Sequence, residues 1–512
     1  MQVGNGGEPK ALDPHTVTGV IEERILSALF EGLVNLDLET MEPVPGVAES
    51  WEISENGTVY RFLLRNDARW SNGDPVTAHN FVYSWRRILS PAFAAEYAYM
   101  LYPIENAEAY HAGAIEEFDS VGVRALDSRT LEVRLRAPTP WFLSLQIHFT
   151  FYPVHRPTVE SHGDMLQRDT PWTRPGNMVS NGPYRLAEWV PNDRIVVERN
   201  PEYWNRNALN LERIAYRPIQ NPSVEERSFR AGELHITYGV PLTKIESYRR
   251  YASPALRIDP YLGTEFIRFN TRRQPFDDSR VRRAFGLAID RAVLTKQVMK
   301  GGQQVATSYV PPGTGGYTYG RTWESGPVHE YQAGTARRLL AEAGFPEGAG
   351  FPPTAMIYDA SDNNRIYCEA LQQMWQRELG VRVQLQSMDT KTWLASQMQG
   401  DYDLARSYWI GDYNDAMNFL DMYLSQSGNN RTGFANTEYE TLLSQAVMSE
   451  GDARTALFRQ AEDILLREAP ITPVYHYTKV YLAVPQLEGL VPNILGRVNW
   501  RDLNWKRPLW NR

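Results

Sequence analysis

The sequence of 512 residues contains a single cysteine, Cys368. An intrachain disulfide needs two cysteines, so none can form, and a cysteine-based metal site is excluded for the same reason. We expect Cys368 to be a packing residue on the flank of a helix. The nine histidines are scattered without the spacing of metal ligands, so the sequence predicts no metal site and no cofactor.

The sequence also lacks an excess of basic residues and a long apolar run. Lys and Arg number 53 against 61 Asp and Glu, which gives a net charge of −8, and the two signs are interspersed. Such a chain is not expected to bind nucleic acid or anionic lipid. No segment approaches the roughly 20 apolar residues of a membrane-spanning helix. The N-terminal residues lack the apolar stretch of a signal peptide, so they permit export without indicating it.

Most catalytic signatures are missing as well. The sequence has no His-Glu-x-x-His, no Gly-x-Ser-x-Gly and no phosphate-binding Gly-rich loop followed by Lys and Ser or Thr. Paired carboxylates do occur, at Asp401 and Asp403 and at Asp412 and Asp415, and glycoside hydrolases use such pairs. We therefore expect a binding protein without catalytic residues, and a secreted carbohydrate-active enzyme is the alternative from another class.

What the sequence does contain is an alternation of helix and strand patterns that is typical of an α/β protein. Helical spacing of apolar residues marks 20–30, 78–89, 279–289, 362–379, 438–448 and 452–467, and strand patterns mark 59–65, 184–186, 195–199, 381–385 and 471–475. Thr77, Asp278 or Ser279, and Ser361 or Asp362 are the predicted N-caps, and Gly380 is a predicted helix stop. The length predicts roughly two to four domains.

One segment combines the end of a strand with a carboxylate. Leu404, Tyr408 and Trp409 favour a strand over residues 404–410, and Gly411 then begins a turn that carries Asp412. Taken alone, Asp412 is either a turn former that caps local backbone or a buried anion that needs a partner. A ligand ammonium is one such partner, and the local residues leave both interpretations open.

Short motifs follow one another in order along nearly the whole chain. They are Ala-Glu-Ser-Trp at 48–51, Ala-Arg-Trp-Ser-Asn-Gly-Asp-Pro-Val-Thr-Ala at 68–78, Asn-Gly-Pro-Tyr at 181–184, Glu-Arg-Asn-Pro-Glu-Tyr-Trp at 198–204, Phe-Asp-Asp-Ser-Arg-Val-Arg-Arg-Ala at 276–284 and Leu-Leu-Ala-Glu-Ala-Gly at 339–344. Together they resemble the peptide-binding subgroup, family 5, of the extracellular solute-binding proteins of ABC transporters. The resemblance implies an α/β, periplasmic-binding-protein type II-like body of two lobes with an inserted domain and a hinge.

The resemblance also implies a domain organisation and a set of partners. Domain I is expected to combine residues 1–43, 175–262 and 479–512, domain II to be the insertion 44–174, and domain III to span 263–478. The hinge is expected near residues 261–264 and 477–485. Members of the family are exported to the periplasm, and the expected partners are a peptide ligand, bound between the lobes, and ABC transporter permease subunits in the membrane. The protein is expected to be a monomer.

Two charged residues receive roles from the resemblance. The aspartate of the family's Asp-Tyr-Asn segment takes the α-ammonium of the peptide, and Asp412 stands at that place here. Arg406 matches a position that can meet the carboxylate of a short peptide. The alternative for Arg406 is an ordinary ion pair with Asp403 or another acid.

The main chain of an extended peptide needs hydrogen-bond partners, because each buried amide left unpaired is costly. Two predicted strand ends can supply them: one consists of Leu33 and Val34, and the other of Tyr408, Trp409 and Ile410. We expect the peptide to pair with both.

Four positions match residues near the family's binding cleft. They are Glu31, Tyr97, Tyr261 and Trp409. The aromatic residues could equally be core or packing residues, and Glu31 could be a surface acid at the end of a helix.

Three positions depart from the residues of a close family member. Thr390 stands where that member has Trp, Gln397 where it has Arg, and Asn364 where it has His. These changes remove bulk or positive charge, so we expect α-amine recognition to be retained and the preference for peptide length or side chain to be altered. A specialised receptor for a modified peptide or a cell-wall peptide is the alternative within the same class.

Overall fold

A computed structural model describes residues 1–317 and 331–506. The parts of predicted domain III at 318–330 and of predicted domain I at 507–512 lie outside these residues. Within them, no helix combines the length and the apolar character that crossing a membrane requires.

The helices and strands alternate along the chain. The helices are α1 (Val20–Leu29), α2 (Ala78–Leu89), α3 (Ala107–His111), α4 (Phe142–Leu145), α5 (Arg156–Ser161), α6 (Pro222–Arg230), α7 (Leu242–Arg250), α8 (Ser279–Leu287), α9 (Arg291–Val293), α10 (Ala333–Glu342), α11 (Asp362–Leu379), α12 (Thr390–Gln399), α13 (Met417–Leu420), α14 (Thr437–Val447) and α15 (Gly451–Glu468). The strands are β1 (Gln2–Gly4), β2 (Val34–Leu36), β3 (Pro43–Pro45), β4 (Ala48–Ile53), β5 (Val59–Leu64), β6 (Val123–Ala125), β7 (Thr130–Arg134), β8 (Tyr184–Val190), β9 (Arg194–Arg199), β10 (Arg213–Arg217), β11 (Leu256–Phe269), β12 (Gln304–Val305), β13 (Thr354–Asp359), β14 (Val383–Met388), β15 (Leu404–Ile410), β16 (Ile471–Leu482), β17 (Leu487–Glu488) and β18 (Asn504–Trp505).

The chain divides into two compact units. The first comprises Met1–Val240, Ala252–Arg257 and Val480–Arg512, and the second comprises Pro241–Tyr251 and Ile258–Lys479. Strands β11 and β16 lie mostly in the second unit, and each continues into the first at one end. The three-domain division and the hinge remain predictions.

The first unit contains two four-stranded sheets. One has the order β1-β10-β9-β8 and the other the order β4-β5-β7-β6. Strand β5 of the second sheet shows the expected alternation, since Tyr60, Phe62 and Leu64 are buried and Arg61 is exposed. The first of these sheets consists of strands from predicted domain I and the second of strands from predicted domain II. Residues 241–251, 258–262 and 479 of predicted domain I belong to the second unit.

The second unit is built on a six-stranded mixed sheet of the order β12-β16-β11-β15-β13-β14. Its core contains Phe285 of α8, Trp375 of α11 and Leu404 of β15. The Trp375 indole also donates a hydrogen bond to the Phe285 carbonyl at 3.0 Å, which fixes α11 against α8. Cys368 of α11 is fully buried in the same core, and burial raises the pKa of its thiol, so its role is packing.

Most predicted boundaries agree with the structure to within a few residues. Asp278 and Ser361 cap their helices through their side chains, and Gly380 ends α11 with a φ of 70°. The strand expected at 381–385 begins slightly later, because the chain leaves α11 through residues 380–382 before β14 begins at Val383. The strand expected at 471–475 is too short, because β16 continues to Leu482. Strand β13 and helix α12 were not predicted, although both flank β15.

Candidate ligand-binding site

Strand β15 has one fully paired edge and one partly paired edge. Along the first edge it is antiparallel to β11 from Leu404 to Ile410. Along the second, β13 pairs only with Leu404 and Ala405. The Trp393 indole donates to the Arg406 carbonyl at 3.2 Å where the two strands separate. In the described part of the chain, no strand accompanies the second edge beyond Ala405. Strand β15 ends at Ile410, as predicted, so this edge is a candidate position for an added strand.

The side chains at this strand end are held in place by their neighbours. Tyr408 is 37% exposed, and its ring stacks on that of Trp393 with centroids 6.0 Å apart and planes inclined by 9°. The Trp409 indole donates to Asn418 Oδ1 at 2.9 Å, and the Asp412 backbone N–H donates to the same oxygen at 3.2 Å. Asn418 therefore fixes the turn that carries Asp412 against the end of β15.

The turn after β15 is rich in carboxylates. Asp415 accepts two hydrogen bonds from Arg454, at 2.7 and 2.9 Å. Burial raises the pKa of Asp421 to about 8, and the negative charges of Asp412 and Asp415 contribute to the rise. Three acids thus share this region with the Arg454 cation, and an excess of negative charge favours a cationic ligand group.

Arg406 is buried in an ion-pair network. Its guanidinium donates to both carboxylate oxygens of Glu265 at 2.8 and 2.7 Å, to Asp359 at 2.7 Å and to the Tyr477 hydroxyl at 2.9 Å. Its partner is thus another acid and not Asp403, whose carboxylate instead lies 3.5 Å from Arg273. A direct contact between Arg406 and a peptide carboxylate remains a prediction.

The other predicted residues of the second unit lie around the same strand. Gln397 is buried in α12 and accepts a hydrogen bond from the Ser407 hydroxyl at 2.7 Å. This hydrogen bond holds α12 against β15. Thr390 is exposed at the first position of α12. Asn364, in the first turn of α11, donates to the Asp359 carbonyl at 3.0 Å. Tyr261 is half-buried in β11.

Residues 308–317 form a segment that contacts the Asp412 turn at Asn414. Glu462 is buried in α15 and accepts hydrogen bonds from the backbone N–H groups of Tyr309 at 2.5 Å and Val310 at 2.8 Å. The Gly315 N–H donates to Asn414 Oδ1 at 2.8 Å, next to Asp415. The Tyr317 hydroxyl also donates to Glu462, at 2.5 Å. Glu462 therefore anchors both ends of the 308–317 segment, and Gly315 between them supports the turn.

In the first unit, Glu31 is buried with an exposed fraction of 4%, so the interpretation as a surface acid is wrong. Its carboxylate accepts from the Tyr203 hydroxyl at 2.6 Å, from the Trp204 indole at 2.6 Å and from Asn35 at 2.8 Å. Arg501 lies 3.6 Å away. The protein's own donors thus serve this carboxylate.

Asn181 and Gly182 hold the turn between α1 and β2. The Asn181 side chain exchanges hydrogen bonds with the Glu31 backbone at 3.1 and 2.8 Å. A Cβ at Gly182 would lie 2.5 Å from the Leu29 carbonyl carbon, so only glycine fits against the end of α1. Leu33 and Val34 follow this turn and are buried, with β2 beginning at Val34 and pairing with β3. Tyr97, also in the first unit, is half-buried and packs edge-on against His148 with centroids 5.3 Å apart.

Comparison with protein families gives one match that covers most of the chain. The family described as bacterial extracellular solute-binding proteins, family 5 Middle, matches residues 42–431. The chain belongs to this family. It is therefore a solute-binding protein and not an enzyme, which excludes the carbohydrate-active alternative.

Individual relatives of this family 5 protein match over nearly their whole length. The periplasmic oligopeptide-binding protein OppA of Salmonella typhimurium is 38% identical over 494 residues, which cover 95% of this chain and 88% of the relative. The solved structure of the murein tripeptide binding protein MppA of Escherichia coli has a TM-score of 0.90 at 35% identity and covers 99% of this chain and 98% of its own. Haemophilus influenzae OppA in complex with RPPGFSPFR gives 0.88 at 33%, with 99% of both chains covered. The predicted α/β, periplasmic-binding-protein type II-like fold is thereby confirmed.

Sequence reasoning missed several residues that position the site of this family 5 protein. Asn418, Glu265 and Glu462 carry no local signal, because their partners are distant in sequence or lie in loops. Asp421 could have been suspected, since a third acid so close to Asp412 and Asp415 concentrates negative charge in one short stretch.

Proposed function

We propose that this chain is a periplasmic receptor that binds short peptides through their α-ammonium and main chain, and delivers them to an ABC importer. Asp412 would pair with the ammonium, and Tyr408, Trp409 and Ile410 would pair with the peptide backbone. Two relatives that match nearly the whole chain support this proposal. One is named an oligopeptide-binding protein, and the other was solved in complex with the peptide RPPGFSPFR. Delivery to permease subunits follows from membership in the family.

The observation that carries the proposal is the combination at the end of β15. The second edge of this strand continues for several residues beyond its pairing with β13, and the strand then leads directly into the acid-rich turn of Asp412. An extended peptide added at that edge brings its amino end to the turn, so backbone pairing and charge pairing reinforce each other.

Calorimetric titration with a free-amine peptide and its N-acetylated counterpart tests the assignment. We expect acetylation to weaken binding by about 100-fold, since the half-buried Asp412 carboxylate then loses its counter-charge. Asp412→Asn should weaken binding of the free-amine peptide by a similar factor and abolish the difference between the two peptides.

Asp401→Asn is the matched control, because it removes the same charge from an exposed residue just before β15. It should leave the affinity unchanged. If Asp412→Asn binds the free-amine peptide as tightly as the native protein does, the assignment of Asp412 is wrong.

The breadth of the cargo is tested separately by native mass spectrometry of protein purified gently from cells. A ladder of bound masses spaced by amino-acid residues would support a receptor for general peptides. A single bound mass would support the specialised receptor for a modified or cell-wall peptide.

A further inference from the structure

The divergence of β13 and β15 determines what the far end of a bound peptide meets. Strand β13 lies along the second edge of β15 and ends at Asp359. A peptide strand added to that edge would lie in line with β13, beyond Asp359. If the amino end of the cargo lies at Asp412, the peptide runs back along β15 towards Arg406. The carboxyl end of the peptide therefore points towards the end of β13, where Asp359 accepts a hydrogen bond from Arg406.

The spacing fixes roughly which cargo residue arrives there. A strand advances about 3.3 Å per residue, so about three peptide residues span the stretch alongside Ile410, Trp409 and Tyr408. The group at the end of the third residue then lies near the network of Arg406, Glu265 and Asp359. For a tripeptide, that group is its carboxylate.

Arg406 is poorly placed to receive a carboxylate. Four hydrogen bonds to Glu265, Asp359 and Tyr477 engage four of the five N–H groups that a guanidinium offers. Its side chain is only 7% exposed, and its guanidinium lies 4.8 Å from the centroid of the Tyr408 ring. The side chain of Asp359 is the most accessible of the ion-pair group, with 17% exposed against 0% for Glu265.

The charges of the network also oppose an incoming anion. The single positive charge of Arg406 already faces the carboxyl groups of Glu265 and Asp359, so it is engaged before a further anion arrives. The pKa of Glu265 is raised, first by burial and further by the charge of Asp359, although Arg406 and Tyr477 lower it. The replacement of an Arg and a His of a close family member by Gln397 and Asn364 leaves no additional cation at those two positions.

We propose that Asp359 makes this receptor discriminate against a carboxylate at about the third cargo residue, in favour of peptides that continue beyond it or carry an amide or a cation there. The inference rests on the proposed function for the position and direction of the peptide. Asp359 would act as a specificity-determining residue through its charge, with Arg406 serving to hold it and Glu265 in place.

The test is calorimetric titration of the native protein and Asp359→Asn with three free-amine peptides: trialanine, trialanine amide and tetraalanine. The native protein should bind trialanine about tenfold more weakly than the other two, as expected for one unbalanced charge at short range in a partly exposed site. Asp359→Asn keeps an oxygen acceptor for Arg406 and should bind all three peptides with similar affinity.

Asp362→Asn serves as the matched control, because it removes the same charge three residues away from a side chain that is 84% exposed. It should keep the native preference. Thermal unfolding of both variants checks that the fold is retained, and trialanine amide reports whether the site itself is intact.

Equal affinity of the native protein for all three peptides would overturn the inference while leaving the proposed function standing. A preference that survives in Asp359→Asn would also overturn it, since the charge would then not be the cause. Failure of the native protein to bind any of the three peptides, with or without a carboxylate, would count against the proposed function and with it against the inference.

Discussion

Two carboxylates that the sequence singles out, Glu31 in the first unit and Asp412 in the second, lie in opposite surroundings. Glu31 is surrounded by donors, namely the Tyr203 hydroxyl, the Trp204 indole and the Asn35 amide. Asp412 lies among other acids, and its charge contributes to raising the pKa of Asp421. Both residues follow the end of a helix or strand, so their local sequences do not distinguish them.

The difference predicts a structural role for Glu31 and supports the proposed binding role of Asp412. Donors built into the fold compensate for the burial of Glu31, and the compensation is present whether or not a ligand is bound. A group of acids gains most from an external cation, because its mutual repulsion then falls. We therefore expect changes at Glu31 to alter folding stability and changes at Asp412 to alter affinity.

The largest effect should follow from Glu31→Ala. The variant leaves three donors without their acceptor, and we expect the free energy of unfolding to fall by about 4 kcal/mol. Urea unfolding followed by circular dichroism measures this loss. For Glu31→Gln the loss should be about half as large, because the amide oxygen still accepts from one or two of the donors.

Asp412→Asn is the counterpart and should change the free energy of unfolding by less than about 1 kcal/mol. If Glu31→Gln left stability unchanged and instead abolished peptide binding, Glu31 would be a ligand contact and the contrast between the two carboxylates would fail.

The sequence predicted features that depend on neighbouring residues. The end of β15 followed from a run of strand-forming residues and the abrupt Gly411, and the Ser361 cap and the Gly380 stop followed from the chemistry of helix ends. The family followed from motifs spread along the chain.

Partners that are distant along the chain could not be predicted in this way. Arg406 has an acid only three residues away, at Asp403, yet it pairs with Glu265, which is 141 positions distant. The donors to Glu31 from Tyr203 and Trp204 lie 172 and 173 positions away. Such pairs are set by the register of strands and the packing of loops, which a single sequence does not specify.

A smaller effect should come from Gly315→Ala in the 308–317 segment. Gly315 has a φ of +51°, and a Cβ there would lie 2.9 Å from the Asn414 carbonyl oxygen. We expect a loss of about 1 kcal/mol in stability from the left-handed backbone. Displacement of the turn should also weaken peptide affinity about fivefold, as calorimetry would measure, since a misplaced charge pair loses part of its coupling.

Gly313→Ala is the matched control for this substitution. Gly313 also has a positive φ, of +83°, but a Cβ added there would meet no atom of the described residues within 4 Å. The variant should lose similar stability and keep its affinity. Equal affinity losses in the two variants would show that the segment does not position Asp412 through the contact at Gly315.

A pH-dependent effect concerns the proton on Asp421. The folded protein holds this proton up to a pKa of about 8, whereas the ordinary value is 3.8. Because the folded state binds more protons than the unfolded state between about pH 4 and pH 8, the contribution of Asp421 to stability falls as pH rises through that range. Asp421→Asn should remove this part of the pH dependence, as urea unfolding at several pH values would detect.

The same proton offers a direct probe of the acid-rich turn. An ammonium bound at Asp412 would lower the pKa of Asp421, so binding at pH 7 should release a fraction of a proton. The release appears as a binding enthalpy that changes between buffers of different ionisation enthalpy. In Asp421→Asn this dependence should disappear, while in Glu31→Gln it should persist, because Glu31 belongs to the donor-rich region. If proton release is unchanged in Asp421→Asn, the excess of negative charge around Asp412 does not respond to the ligand, and the contrast with Glu31 loses its electrostatic basis.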